Sequence, residues 1–275
     1  MGKHKLNKNK RNRKTTRKKI KKKTDKKKND NKIIDVPLSK NISKGSKASL
    51  GSINYHYQKY YNTFAFIKEV TKRDKTLKNR ICIPDIGEDW MKSFLKIELM
   101  ENDGSIKSIK PVDSTNKSSD FIKEITRCMK HRLIPINLEI IIPRIGTHAN
   151  IILIDTQKKT IELFEPHGNR EKSELENVSR AYYKVSKNIE RFFKFNFPDY
   201  KYIPPSSYEP KKGLQVRLDA YSGLCVTWSI LYLHYRLLNP NVSQKKLVTY
   251  LDKKVTRNFI LRYMKYIEDI LKGKI

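Results

Sequence analysis

The chain has 275 residues, 37% of them hydrophobic, with 60 Lys and Arg against 28 Asp and Glu, a formal net charge of +32. That apolar share fills one sizeable core, which excludes a wholly disordered chain, and no apolar run reaches the roughly 18 residues of a membrane span. The charge predicts attraction to polyanions, nucleic acid first, by a salt-sensitive and sequence-independent mechanism; a lysine-rich solvated surface with no such partner is the plainer alternative.

Residues 1–32 hold 17 Lys and Arg and 2 Asp, a charge of +15. Such a segment cannot bury apolar surface and is expected to be a disordered basic tail. Its run from Arg17 to Lys23 fits a nuclear-type address, a nucleic-acid arm or a solubilising tail, and it lacks the apolar stretch of a signal peptide. Residues 33–50, with Pro37 and several Ser and Gly, read as a linker. The remaining charge, +17, belongs to the body of the protein.

Helical spacing of Tyr55, Tyr60, Phe64, Phe66 and Val70 predicts a helix over 52–73. A second helix is expected over 89–100, with Trp90 and Phe94, then a polar loop over 101–118 and a third helix over 120–131. These make residues 51–130 a helical N-terminal portion. From Leu133 the pattern changes to short β-rich runs, LIPINLEIIIP, THANIILIDT and TIELFEP. A helix over 169–197, a short strand over 200–204, and helices from Cys225, over 243–253 and over 257–271 complete a core of residues 131–275. Strands flanked by helices indicate an α+β fold. Three cysteines, Cys82, Cys128 and Cys225, are too few and too far apart for a disulfide framework, so a reducing compartment is expected.

Chemistry is concentrated in GLQVRLDAYSGLCVTWSILYLHYRLLNP, where a polar, turn-like segment becomes an apolar helix at Cys225. A thiol at a helix start meets unpaired backbone N–H groups and the positive dipole end, both of which favour the thiolate. A small buried hydrophobe is the bland reading of the same residue. The thiolate reading needs a base and a group to orient that base. His234 lies nine residues on along the same helix, about 13 Å away, and cannot serve. If THANIILIDT and TIELFEP form a hairpin turning at Gln157-Lys158, Asn150 faces Glu165 and His148 faces His167 on one sheet face. Glu165 is then a diagonal neighbour able to orient His148. Asp155 falls on the opposite face and reads as structural. The Cys225 backbone N–H is one oxyanion donor, and Gln215, ten residues upstream, is a candidate for another.

The order His148, Glu165, Gln215, Cys225 resembles the cysteine peptidases of the ubiquitin-like-protein protease and adenovirus-protease superfamily. The FEPHG and SGLCVTWSILYLHYRLLNP stretches are similar to those of large DNA viruses, including asfarvirus-type virion maturation proteases. The resemblance implies a papain-like core of the ubiquitin-like-protease type, a central mixed sheet flanked by helices. It implies His148 as general base, Glu165 as its orienting acid, Cys225 as nucleophile and Gln215 at the oxyanion hole, with no cofactor and no metal. Asn150 or His167 could share the orienting role, as some viral members place an amide where others have the acid. The family glutamine stands about six residues before the cysteine, where this chain has Asp219. Trp228 is expected in the core or in the wall of a substrate tunnel. The implied substrates are viral structural precursors cut after Gly-x-Gly-like sites, in the virion and host cytoplasm. Deconjugation of ubiquitin- or SUMO-like modifiers is the nearer alternative, and a non-enzymatic nucleic-acid-packaging protein the rival from another class.

Overall fold

The computed structural model describes residues 32–38, 61–84, 94–99, 106–111, 118–142, 146–218 and 224–274. The tail, most of the linker and Asp219 fall outside the described residues. One six-stranded mixed sheet organises them, in the order β2-β1-β3-β4-β5-β6. Its strands are β1 (Phe94–Leu99), β2 (Ile106–Pro111), β3 (Leu133–Ile142), β4 (Gly146–Asp155), β5 (Thr160–Phe164) and β6 (Lys201–Ile203). β3, β4 and β5 pair antiparallel in sequence, whereas β1 joins β3 and β6 joins β5 in parallel. The helices are α1 (Tyr61–Arg73), α2 (Lys75–Lys78), α3 (Ser118–Cys128), α4 (Glu176–Asn196), α5 (Leu214–Arg217), α6 (Cys225–Leu238), α7 (Gln244–Lys254) and α8 (Arg257–Leu271).

Alternation along the strands feeds two cores. Ala149, Ile151 and Leu153 of β4 join a core with α1, α6, α7 and α8. Ile152 and Ile154 join a second with Phe121 and Ile125 of α3 and Val178, Val185 and Ile189 of α4. Period-two burial thus sandwiches β4 between helices, and both its faces read as apolar. α6 is apolar enough to sit inside: every residue from Val226 to Leu237 is buried, so this helix is enclosed rather than presenting one apolar face. Trp228 is fully buried in its core. α7 and α8 begin on capping side chains, Ser243 and Thr256, each accepting a backbone N–H.

Several expectations need correction. Strands β1 and β2 stand where the pattern predicts the end of a helix and a loop; the sheet therefore draws on both sides of residue 130. The helix expected from 169 begins at Glu176, after a single 3₁₀ turn over Arg170–Lys172. Residues 33–38 are not a loose linker. Asn239 accepts the Ile34 N–H at 2.6 Å and donates to the Ile34 carbonyl at 2.8 Å. Asp35 accepts from Tyr235 (3.1 Å) and Tyr250 (2.6 Å), and Val36 is buried. Cys82 and Cys128 form a disulfide, with Cα atoms 5.4 Å apart. The chain separation of 46 is bridged because Ile81 pairs with Leu133, which lays the 81–83 segment beside the end of α3.

Candidate active site

The hairpin has the expected register. Its ladder runs from Asp155↔Thr160 to Ile151↔Phe164 and stops there. Beyond that point Glu165 leaves the ladder, and its carboxylate Oε1 bonds to Nε2 of His148. Both are buried, at 8% and 2% exposure. Nδ1 is left as the ring nitrogen for a second partner, and the Cys225 thiol hydrogen-bonds the His148 side chain. Cys225 opens α6 as expected and is a free cysteine. It also takes a hydrogen bond from the Ala149 backbone. One helical turn on, Ser229 Oγ donates to the Ala149 carbonyl at 3.2 Å, so α6 contacts the same residue of β4 at two points.

The electrostatics follow from this contact chain. Burial pushes His148 down, but the Glu165 charge and hydrogen bonds from both neighbours lift it from 6.5 to about 10. Burial pushes the Cys225 thiol up, and the His148 hydrogen bond and charge outweigh it, leaving the thiol below its ordinary 9.0. Glu165 is held below the usual carboxylate range by His148 in spite of burial. Both shifts favour the thiolate–imidazolium pair, the form that attacks a carbonyl carbon.

His167 and Asn150 share the neighbourhood without duplicating Glu165. The His167 ring lies on the His148 ring, centroids 4.1 Å apart and planes 18° apart. Its backbone N–H donates to Glu165 Oε1 at 2.9 Å. Asn150 is buried and donates to the His148 carbonyl at 3.3 Å; it braces the backbone, and no bond joins it to the imidazole. Asp155 lies at the far end of the strand, capping the hairpin turn by accepting from the Gln157 and Lys158 N–H groups.

Gln215 is buried in α5, and its backbone N–H donates to the Pro166 carbonyl at 3.1 Å. That anchors it beside the Glu165–Gly168 turn; its Oε1 has no hydrogen-bond partner among the described residues. The approach depends on two glycines. Gly168 has φ +90°, and a Cβ on it would come within 2.3 Å of the Gly213 nitrogen. His234, set aside from sequence, lies in the core, its Nδ1 3.2 Å from the Tyr263 hydroxyl.

Sequence reading missed Glu209. Its buried carboxyl oxygen accepts the Glu165 N–H at 3.0 Å, and burial pushes it well above the ordinary carboxyl range, which favours its neutral form. Nothing in SYEP marks it, because its role depends on a contact across 44 residues. His148, Glu165 and His167 also form a group whose ligand atoms lie within 4.8 Å of one another; a metal there would have to displace the His148–Glu165 bond.

No family model matches the chain. In an alignment 183 residues long that covers 58% of this chain, it is 27% identical to a protein of Acanthamoeba polyphaga mimivirus described as an ankyrin repeat protein, L371. The chain spans 23% of the length of that relative. Two solved structures of ChlaDub1, an effector protein of Chlamydia trachomatis, are similar at TM-scores of 0.37 and 0.34, with 14% and 12% identity. The alignments cover 61% and 59% of this chain and 72% and 64% of theirs.

Proposed function

We propose that the protein is a cysteine peptidase in which Cys225 is the nucleophile, His148 the acid–base and Glu165 its orienting carboxylate. The observation that carries this is the unbroken contact from Glu165 through His148 to a thiol at a helix N-terminus. The Cys225 thiolate attacks the scissile carbonyl carbon, and the C=O electron pair moves to oxygen. The Cys225 backbone N–H and the Gln215 amide are the candidate donors for that oxyanion. The tetrahedral species collapses as His148 gives its proton to the leaving amine, forming a thioester. Water, deprotonated by His148, then cleaves the thioester and regenerates thiolate and imidazolium.

The substrate reading is a peptide bond in viral structural precursors after Gly-x-Gly-like sequences, during virion maturation. The motif order supports it, and the mimivirus relative supports a viral setting only. The basic body and tail suit residence on a packaged genome. Incubation with virion precursors and with ubiquitin- and SUMO-type conjugates tests it: precursor cleavage is expected, and cleavage of conjugates alone transfers the same chemistry to deconjugation. Cys225→Ala and His148→Ala should each abolish cleavage while leaving nucleic-acid binding intact. Cleavage that persists in Cys225→Ala would overturn the peptidase reading.

A further inference from the structure

We propose that His167 is a positioning residue for this reaction, holding the His148 imidazole in the plane it shares with Glu165 and Cys225. The inference rests on the cysteine-peptidase reading above. Its first support is the ring stack, 4.1 Å between centroids at 18°. A parallel ring at that distance blocks rotation of the imidazole out of its plane and favours one orientation. Its second support is the backbone, because the His167 N–H and His148 Nε2 bond the same oxygen, Glu165 Oε1. One residue thus constrains both the base and the acid that orients it.

The position of His167 is itself fixed from behind. Its carbonyl accepts the Gly213 N–H at 2.8 Å, and the left-handed turn at Gly168 packs directly on Gly213. The charged and titratable groups around the pair are Glu165, Arg170, Glu209, Tyr182 and Cys225. Among them His167 stays neutral: burial and the His148 charge bring it down to about 4. An uncharged ring over an imidazolium is attractive, whereas two imidazolium rings would repel. The side chain is 26% exposed and covers a base that is 10% exposed, so it stands as the outer wall of the base.

The test reads Cys225 without any substrate. The chain has three cysteines and the other two are bonded to each other, so iodoacetamide alkylation reports the Cys225 thiol. Alkylation rate is followed against pH for wild type, His167→Ala and His167→Phe, each checked for an unchanged fold by circular dichroism. His167→Ala should raise the Cys225 pKa by about one unit, about tenfold less thiolate on the acid limb. His167→Phe restores a flat ring and should return the profile to within about twofold, which a merely space-filling loop residue would not require. An unshifted His167→Ala profile, or a His167→Phe profile shifted as far as that of His167→Ala, overturns the proposal. A wild-type thiol that titrates like free cysteine would instead bring down the peptidase reading itself.

Discussion

The shifts at His148 and Cys225 arise because their specific contacts outweigh burial, and this fixes a pH dependence. The thiol lies below its ordinary value and the imidazole is raised to about 10, so the ion pair is favoured between those two values. On the proposed peptidase reading, turnover should rise as pH climbs through the depressed thiol pKa and fall as it passes about 10, where His148 would lose the proton owed to the leaving amine. Alkylation of Cys225 should show the first limb without the second; a matching alkaline fall in both would contradict the assignment. Glu209 gives a sharper test. Because burial favours its neutral form, Glu209→Gln keeps an acceptor for the Glu165 N–H and should change stability by less than about 1 kcal/mol. Glu209→Ala orphans that buried N–H and should cost about 1–3 kcal/mol in denaturant unfolding.

Among the elements, α6 is the one on which the site depends, and Arg236 fixes its depth. This fully buried guanidinium bonds both carboxylate oxygens of Glu162 on β5, at 2.7 and 3.0 Å, and donates to the Asn239 and Val242 carbonyls. Arg236→Ala would leave the Glu162 carboxylate buried without its cation and should destabilise the fold by about 3–5 kcal/mol, measured by urea unfolding. Legibility divides along the same lines. The β4–β5 hairpin and α6 were readable because a short turn sets the register and an apolar run sets the helix. β1 was not, because it is joined to β3 in parallel, and such a crossover pairing leaves no local pattern; β2 enters the sheet only as the antiparallel partner of β1. The Cys82–Cys128 bond and Glu209 were hidden for the same reason: each is defined by a partner far along the chain. The docking of residues 33–38 was missed because Pro, Ser and Gly composition says nothing about Asn239 waiting across 205 residues.

The molecule as a whole joins a disulfide and a free thiol in one chain, and the two respond differently to reductant. A closed loop with a separation of 46 is worth about 4 kcal/mol by chain entropy. Reduction should lower the thermal midpoint by several degrees while sparing the Cys225 thiolate; an unchanged midpoint would mean the bond carries no stability. The net charge of +32 sets a second whole-molecule expectation. Affinity for duplex DNA should fall steeply and linearly in log–log form as salt is raised, with little difference between sequences. Affinity indifferent to salt would remove the genome from the account.

The turn after Asp155 is exposed, carries Lys159 at φ 50°, and lies at the opposite end of the hairpin from the sulfur. Yet it alone counts out which side of the ribbon each later residue takes. A single extra amino acid there would carry residue 165 to the reverse side while leaving residue 148 in place. Chemistry would be lost by a change that touches none of the reacting groups, and deleting one neighbour from β5 should bring it back.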